Sequence, residues 1–202
     1  MNEAVRHVVS VDPAFARWVE AVPDFALHGR RQKDYFNALV RAIVFQQLAG
    51  KAAAAIHSRF MGVFDGAPTP PAVLAASEGV LRGAGLSAGK LAAIRDLALK
   101  ATDGTVPLER IEELSDDEIV ERLSAVRGIG RWTAEMFLIF QLGRPDVWPV
   151  DDLGVRRGYA VIHGLEEWPK PRELFELGDV YRPYRTCAAW YCWRTADTVL
   201  PD

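Results

Sequence analysis

Apolar residues recur along this chain at the three- and four-residue spacing of amphipathic helices. Phe36, Leu39, Val40, Ile43 and Val44 form one such stripe, because residues at that spacing share a helix face. We find no convincing strand pattern, so the sequence predicts an all-α domain. The predicted helices cover residues 13–19, 34–47, 51–64, 72–76, 78–83, 87–101, 108–114, 115–126, 132–142, 151–162, 171–177 and 184–195.

Polar residues mark several of the predicted helix starts. Ser115 and Glu118 have the spacing of a capping box. Asp12 precedes Pro13, which suits a cap followed by the first helical position. Asp151-Asp152 precedes the helix that runs to about 162, and aspartate is a preferred N-cap residue. One member of this pair can cap the helix while the other faces a cleft.

Length and composition restrict the class of protein. The 202 residues fit one large domain or two tightly joined subdomains, and half of them are hydrophobic. No apolar run approaches the ~20 residues of a membrane span, and the N-terminus lacks the pattern of a signal peptide. Cys187 and Cys192 are too few for a disulfide framework or a four-cysteine metal site, and the four histidines lack metal-ligand spacing. We expect a soluble intracellular protein with free thiols.

The net charge of −3 argues at first against a nucleic-acid partner. Residues 103–121, however, hold eight acidic side chains and one basic side chain, which leaves 23 basic against 19 acidic residues elsewhere. A local basic face is therefore compatible with the charge. A solvated acidic helix on an ordinary soluble protein explains it equally well.

The turn Gly128-Ile129-Gly130 separates two helical patterns and has the composition of an anion site. Glycine allows sharp turns and close approach of a ligand to the backbone. The first amides of the next helix point outward beside the positive end of its dipole, and Arg127 and Arg131 flank the turn. A phosphate group is the expected ligand. An ordinary helical hairpin without a ligand is the alternative, since a lone GxG motif is weak evidence.

Two segments together resemble the helix–hairpin–helix DNA glycosylases: Leu123–Ala134 (LSAVRGIGRWTA) and Trp148–Asp152 (WPVDD). Phe45–Lys51 is similar to the early helix and turn of that superfamily, and Leu81–Lys90 to the segment before its central helices. Tyr181–Trp190 is similar to the closing helix of the 3-methyladenine DNA glycosylase II branch.

The resemblance covers about residues 35–195 and implies a compact form of that branch, without its N-terminal β-rich domain. It implies two helical subdomains with a cleft between them for DNA and the base. One would hold about residues 35–160, including the hairpin 123–134, and the other about 1–34 and 165–202.

By this resemblance Asp152 is the catalytic carboxylate, and Asp151 supports the helix start. Departure of the base builds positive charge on the sugar, which a carboxylate stabilises while it orients or deprotonates water. Trp132 stands where strand-cutting relatives carry a lysine that forms a Schiff base, so we expect a monofunctional enzyme. The cysteines of the endonuclease III iron–sulfur cluster are absent, and we expect no cofactor.

The resemblance also assigns a base pocket. Trp132 and Tyr184 would wall it, since aromatic faces attract the cationic ring of an alkylated purine. Met136 and Leu153 fall where the bacterial relative has aromatic residues, which indicates a less aromatic pocket. Ordinary core packing is the alternative for both aromatic residues.

Contacts to DNA are expected from the hairpin and from the early turn. Leu48 is the candidate wedge that fills the space of the flipped base, and a buried leucine at a helix end is its alternative. Main-chain carbonyls of Val126 and Ile129 would hold a structural Na⁺ or K⁺. The expected DNA-binding residues are Arg127, Gly128, Ile129, Gly130, Arg131, Thr133, Gln47, Leu48 and Lys51.

The expected activity is hydrolytic release of 3-methyladenine or 7-methylguanine from double-stranded DNA by a monomer, in the cytoplasm or nucleoid of a bacterium or the nucleus of a eukaryote. A non-catalytic DNA-binding module would explain the hairpin but leave Asp152 without a task. A glycosylase for hypoxanthine or an oxidised base is the third hypothesis, because Trp132 does not fix the base.

Overall fold

The computed structural model describes residues 2–22, 25–26 and 34–195, and this part of the chain folds into helices without any strand. The all-α prediction is therefore confirmed. The α-helices are α1 Glu3–Val11, α2 Ala16–Ala21, α3 Tyr35–Phe45, α4 Gly50–Gly62, α5 Pro70–Ala75, α6 Glu78–Gly83, α7 Ala88–Thr102, α8 Asp116–Ser124, α9 Arg131–Phe137, α10 Leu153–His163, α11 Pro171–Leu177 and α12 Arg185–Arg194. Short 3₁₀ turns cover Pro13–Phe15, Leu108–Glu113 and Asp179–Tyr181.

Side-chain caps begin many of these helices, including those predicted at Asp12 and Ser115. Ser115 and Glu118 form the reciprocal capping box of α8, and Ser87 accepts a hydrogen bond from the Lys90 amide at the start of α7. Asp12 accepts a hydrogen bond from the Ala14 amide. Each cap satisfies an amide that has no partner within its own helix.

Helix α1 has no counterpart among the predicted elements. The segment is rich in valine, a β-branched residue with modest helix propensity, so local preference alone does not predict a helix. The Asn2 side chain caps it, and Ala4, Val5 and Val8 are buried on one face. Tertiary burial of that face therefore decides its conformation.

The predicted helix 132–142 is divided in two. Helix α9 ends at Phe137, and one stretch of π-helix follows at Leu138–Leu142. Leu138 and Ile139 are buried there. The extra residue per turn of a π-helix changes which side chains face inward, and this change is not visible in the apolar spacing.

The chain divides into two compact units, which comprise residues 30–137 and residues 1–29 with 138–202. The second is called the terminal unit below, and the first the hairpin unit. This boundary differs from the predicted one, since residues 138–160 group with the termini. Close contact of α10 with α12 explains the difference: the Cys192 carbonyl oxygen lies 2.0 Å from the position a Cβ would take on Gly158.

Each unit has its own buried interior. In the terminal unit Phe15, Tyr181 and Tyr191 are almost completely buried and pack edge to face. In the hairpin unit α3 and α7 contribute buried apolar faces. Across the described residues no helix has the length and apolar content needed to cross a membrane.

Candidate functional site

The hairpin turn is fixed by its backbone and by one buried side chain. Helix α8 ends at Ser124 and α9 begins at Arg131. Between them Gly128 has φ +78°, a conformation that glycine adopts without strain. The Ile129 side chain is only 3% exposed, and its amide donates to the Val126 carbonyl at 3.0 Å. The buried Ile129 side chain and this hydrogen bond therefore hold the turn in place.

Polar side chains from two earlier segments hold the hairpin in place. Asp96 accepts the Arg127 amide at 2.7 Å, and Gln46 Nε2 donates to the Gly128 carbonyl at 2.9 Å. Lys90 Nζ donates in turn to the Gln46 carbonyl at 2.9 Å. No local sequence pattern indicates a role for Gln46, Lys90 or Asp96, because these contacts join residues far apart in the chain.

Burial affects the ionisation of two of these supports. It lowers the pKa of Lys90, whose ammonium loses water as it bonds to main-chain carbonyls. Burial alone raises the pKa of Asp96, but hydrogen bonds from the Arg127 amide and from Lys100 outweigh it, so the pKa of Asp96 is lowered. The carboxylate at this position therefore stays charged near neutral pH.

Gly130 differs from Gly128 in its surroundings. A Cβ on Gly130 would meet no atom within 4 Å, and its backbone is not in the positive-φ region. The fold itself therefore does not require glycine here, and the outer surface of the turn stays open to a ligand. Arg127 and Arg131 are exposed beside it, with Arg131 Nε paired to Glu135 at 2.9 Å.

The other residues of the hairpin unit that were predicted to contact DNA or the base are mostly exposed. Trp132 is 46% exposed and Leu48 is 40% exposed, so neither has the buried core position considered as its alternative. Gln47 and Lys51 are exposed as well, and Gln47 has a positive φ of 56°. Met136 is half-buried.

Ile129 and Thr133 depart from the expectation for DNA-binding residues. Both side chains are buried. Contacts from these two positions are therefore limited to the main chain. The Val126 carbonyl, a predicted cation ligand, already accepts the Ile129 amide, and a carbonyl oxygen has a second lone pair for a cation.

Asp152, in the terminal unit, is the N-cap of α10. Its Oδ1 accepts the Val155 amide at 2.9 Å and the indole Nε1–H of Trp193 at 2.9 Å. Two donors on one oxygen fix the orientation of the carboxylate. The expectation that Asp151 supports the helix start is wrong, because Asp152 makes the capping bond and Asp151 is exposed.

Gly154 provides the room for this arrangement, which we call the Asp152 centre. A Cβ there would lie 2.9 Å from Trp193 Cδ1 and 3.0 Å from Asp152 Oδ1. The Trp193 ring also stacks against Phe140, with centroids 5.6 Å apart and planes 28° apart. The centre comprises Phe140, Asp152, Gly154 and Trp193.

Phe140, Gly154 and Trp193 were not among the predicted site residues. A glycine in the first turn of a helix, two residues after a candidate catalytic aspartate, is a local signal that points to close approach of another group. The partner itself, Trp193, is 41 positions away from Asp152, and no local pattern indicates it.

Helix α12, which carries Trp193, is anchored at its start by polar contacts. Arg185 Nε donates to Asp146 Oδ1 at 2.8 Å, and the Thr186 hydroxyl donates to the Arg144 carbonyl at 2.8 Å. These bonds fix α12 against the loop that precedes α10. They therefore set the position from which the indole reaches Asp152.

Two further predicted pocket residues belong to the terminal unit. Leu153 is 62% exposed. Tyr184 is half-buried and packs its ring against His7, with centroids 5.4 Å apart. A hydrogen bond to Glu3 raises the pKa of Tyr184, so its hydroxyl stays protonated. The pocket roles of Trp132, Met136, Leu153 and Tyr184 stay predictions.

A second polar cluster lies in the core of the terminal unit. Asp12 Oδ2 accepts a hydrogen bond from the Tyr181 hydroxyl and lies 2.8 Å from His163 Nε2. Burial by itself raises the pKa of Asp12, but these contacts outweigh it and lower the pKa overall. Nearby, burial raises the pKa of the Cys187 thiol to about 12 and the pKa of Cys192 well above its usual value. The cluster is structural, and both thiols are inert.

Known proteins resemble the chain in both sequence and structure. Residues 40–183 match the family described as HhH-GPD superfamily base excision DNA repair protein. DNA-3-methyladenine glycosylase 1 of Schizosaccharomyces pombe is 36% identical over 200 residues, which are 97% of this chain and 88% of that protein.

Two solved structures have the same fold. The Schizosaccharomyces pombe 3-methyladenine DNA glycosylase in complex with abasic DNA is 36% identical, covers 100% of both chains and gives a TM-score of 0.85. The DNA-3-methyladenine glycosidase of Bacillus halodurans is 34% identical, covers 98% of this chain and 90% of that one, and gives a TM-score of 0.90.

Proposed function

This chain belongs to the HhH-GPD superfamily of base excision DNA repair proteins, and we propose that it is a DNA glycosylase that releases alkylated purines by hydrolysis. The predicted family and its 3-methyladenine branch are confirmed. The proposed substrate class is that of the Schizosaccharomyces pombe relative, of which the aligned residues cover 88%. Its partner is double-stranded DNA that contains a damaged base.

The observation that carries this proposal is the geometry of Asp152. Two N–H groups on Oδ1 fix the plane of the carboxylate at the start of α10. A carboxylate fixed in advance stabilises positive charge on the sugar without first having to reorient. This is the charge that develops as the bond between the base and the sugar breaks.

Water completes the reaction in this proposal. Asp152 orients or deprotonates a water molecule, which attacks the anomeric carbon of the sugar and leaves an abasic site. A purine alkylated at N3 or N7 carries a positive charge in the nucleotide, so it departs as a neutral base. The carboxylate therefore has to stabilise the sugar and not the leaving group.

Trp132 supports hydrolysis without strand cleavage. The chain has an exposed tryptophan where the strand-cutting relatives have a lysine, and an indole cannot form a Schiff base. Borohydride should therefore trap no covalent adduct between the protein and DNA. A trapped adduct would contradict the monofunctional assignment.

We also propose that the reaction needs no prosthetic group. A monovalent cation at the Val126 and Ile129 carbonyls would support binding of a DNA phosphate and take no part in bond cleavage. Replacing Na⁺ and K⁺ with tetramethylammonium should then weaken DNA binding and leave the rate of single-turnover excision unchanged. The place of action is inside the cell, where DNA is found.

The test is base release from methylated DNA by matched variants of two adjacent aspartates. Asparagine is also a good N-cap, so Asp152→Asn keeps the helix start and should keep the fold. Excision of 3-methyladenine and 7-methylguanine should fall by about 10²–10⁴-fold, the usual contribution of a positioned acid–base group. Asp151→Asn, one residue away and exposed, should retain the wild-type rate.

The same assay separates the alternatives. Full excision by a folded Asp152→Asn variant would refute the catalytic assignment. Wild-type protein that binds DNA but releases no base from methylated, deaminated or oxidised DNA would instead be a binding module. Release of hypoxanthine or an oxidised base in preference to alkylated purines would change the substrate class and keep the role of Asp152.

A further inference from the structure

An open groove of about 800 Å³ lies between the 165–170 loop and α11 in the terminal unit. We call it the Trp168 groove. It shares no residue with the Asp152 centre or with the hairpin, so the proposed reaction does not explain it.

The walls of the groove are held by main-chain and side-chain hydrogen bonds. Helix α10 ends at Gly164 with φ +64°, and the Leu165 amide donates back to the Ala160 carbonyl at 2.9 Å. Arg156 Nε donates to the Pro169 carbonyl at 2.9 Å. The groove therefore exists before any partner binds.

Helix α11 is fixed in the same way. The Lys170 amide donates to Glu173 at 2.8 Å at its start, and the Trp148 indole donates to the Leu174 carbonyl at 2.7 Å. The Trp148 ring occupies the space beside Gly178, where a Cβ would lie 2.2 Å from Nε1. A partner that binds α11 thus meets a rigid surface and loses little free energy in ordering it.

The groove exposes large apolar side chains to solvent. Trp168 is 47% exposed, and Leu165 and Leu177 are exposed beside it on the same groove. Single exposed apolar residues are ordinary, but a group of them along a concave surface is typical of an interaction site. Tryptophan in particular is enriched among the residues that dominate binding energies at interfaces.

Acidic side chains surround this apolar strip. Four glutamates line the groove, against one lysine, Lys170: Glu166, Glu167, Glu173 and Glu176. Such a rim repels the phosphates of DNA and attracts a cationic partner. The complementary ligand has one bulky apolar group with positive charges around it.

A twofold contact between the grooves of two copies of this chain does not have that chemistry. In a twofold dimer a surface patch meets itself, so the glutamates of one copy would face those of the other. Like charges brought together across an interface disfavour association. The charge of the groove therefore favours a different protein as the occupant.

We propose that the Trp168 groove binds a short basic segment of a partner protein, which inserts one bulky apolar side chain against Trp168 between lysine or arginine residues. The apolar contact supplies affinity, and the glutamate rim supplies selectivity for cationic sequences. Binding at the groove is independent of base excision.

Selection from a library of short random peptides tests the proposal. The full-length wild-type protein is the bait, and the Trp168→Ser variant is used for counter-selection. Enriched peptides should contain an aromatic residue or leucine flanked by lysine or arginine. Their affinity for wild-type protein, measured by calorimetry, should be about 10–100 μM, which is typical of small and transient interfaces.

Matched variants show whether the groove is the binding site. Trp168→Ser should weaken the selected peptides by about tenfold or more, as expected for a central anchor residue. Phe175→Ser is the matched control, because Phe175 is a half-exposed aromatic residue on α11 that does not line the groove. This variant should leave the affinity unchanged. Glu166→Gln with Glu167→Gln should weaken binding at low salt and have less effect at high salt.

Several results would overturn the proposal. These are enrichment of acidic or uncharged peptides, affinity that survives Trp168→Ser, an equal loss in Phe175→Ser, and no enrichment over the counter-selected variant. Sedimentation of a wild-type dimer that Trp168→Ser dissociates would identify a second copy as the occupant instead. Circular dichroism and base release, both expected to match wild type in Trp168→Ser, distinguish a lost interaction from a misfolded chain.

Discussion

The hairpin and the Asp152 centre differ in how their parts are distributed along the sequence. The hairpin turn is contiguous, and its shape depends on Gly128 at φ +78°. The Asp152 centre brings together Asp152 and Trp193, which are 41 positions apart, with Phe140 from a third segment. A contiguous turn is specified by local backbone preferences, whereas a dispersed centre depends on helix packing.

Glycine has a different task in each region. In the hairpin, Gly128 provides a backbone conformation and Gly130 leaves an outer surface open. In the terminal unit, Gly154 and Gly158 lack a side chain so that other groups can approach closely. Glycine is thus required by local backbone geometry in the hairpin and by close tertiary contact in the terminal unit.

The largest expected effect on stability is that of Gly158→Ala. A Cβ would lie 2.0 Å from the Cys192 carbonyl oxygen, a backbone atom that cannot move away without displacing α12. We expect the free energy of unfolding to fall by about 3 kcal/mol, the upper part of the usual range for overpacking. Denaturant titration measures it.

Gly79→Ala is the control for that measurement. Gly79 also lies within a helix, but a Cβ there meets nothing within 4 Å. This variant should be at least as stable as wild type, because alanine has the better helix propensity. Equal stability of the two variants would show that the packing of α10 on α12 is looser than described.

Gly154→Ala should affect catalysis more than binding. The new methyl group would push the Trp193 indole away from Asp152 Oδ1 and leave the carboxylate less firmly oriented. We expect kcat to fall about tenfold, or about 1.4 kcal/mol of transition-state stabilisation, with KM and DNA affinity unchanged.

Gly89→Ala is the matched control, because Gly89 is also the second residue of its helix and has open space around it. It should behave as wild type in single-turnover excision. A loss of DNA affinity in Gly154→Ala, with kcat retained, would assign Gly154 to binding and argue against a positioning role for Trp193.

The two hairpin glycines should separate stability from DNA binding. Gly128→Ala forces alanine into the left-handed region and brings its Cβ to 3.3 Å from Ala93. The free energy of unfolding should therefore fall by about 1–2 kcal/mol. Gly130→Ala should leave stability unchanged and weaken DNA binding roughly tenfold, about the worth of one charge-assisted hydrogen bond.

Thermal unfolding and fluorescence anisotropy with duplex DNA measure the two quantities. Wild-type DNA affinity in a stable Gly130→Ala variant would mean that the turn does not approach the phosphate backbone. Lost stability in that variant would mean that the fold itself needs this glycine.

The smallest expected effect is the contribution of Asp12 to acid stability. Its pKa is lower in the folded protein than in the unfolded chain, so the native state is stabilised when the carboxylate is charged. That contribution is present at neutral pH and is lost as the pH falls through the folded-state pKa. Asp12→Asn should therefore flatten the acid limb of the stability curve, whereas exposed Glu20→Gln should retain it.

Much of the hairpin unit was predictable from the sequence. The apolar stripe of α3, the capping box of α8 and the glycine turn are all local patterns, and each appears close to its predicted position. The supports of the hairpin were not predictable, because Gln46, Lys90 and Asp96 reach it through contacts between distant segments.

The terminal unit was less predictable. The sequence did not indicate α1, whose valines have modest helix propensity, or the π-helix at Leu138–Leu142. The local pattern identified the aspartate pair but left the cap open between its two members, and only the family resemblance gave the helix start to Asp151. Only the Val155 amide and the Trp193 indole distinguish Asp152 from its neighbour.

The sequence by itself determined the helical class, the glycine turn and the candidate aspartate, since each depends on the conformational preferences of a few adjacent residues. The tertiary structure decided where the units divide, which aspartate caps α10 and which indole fixes its carboxylate. It also decided that Trp168 and the surrounding glutamates form one groove. These features depend on contacts between segments distant along the chain, which local preferences do not specify.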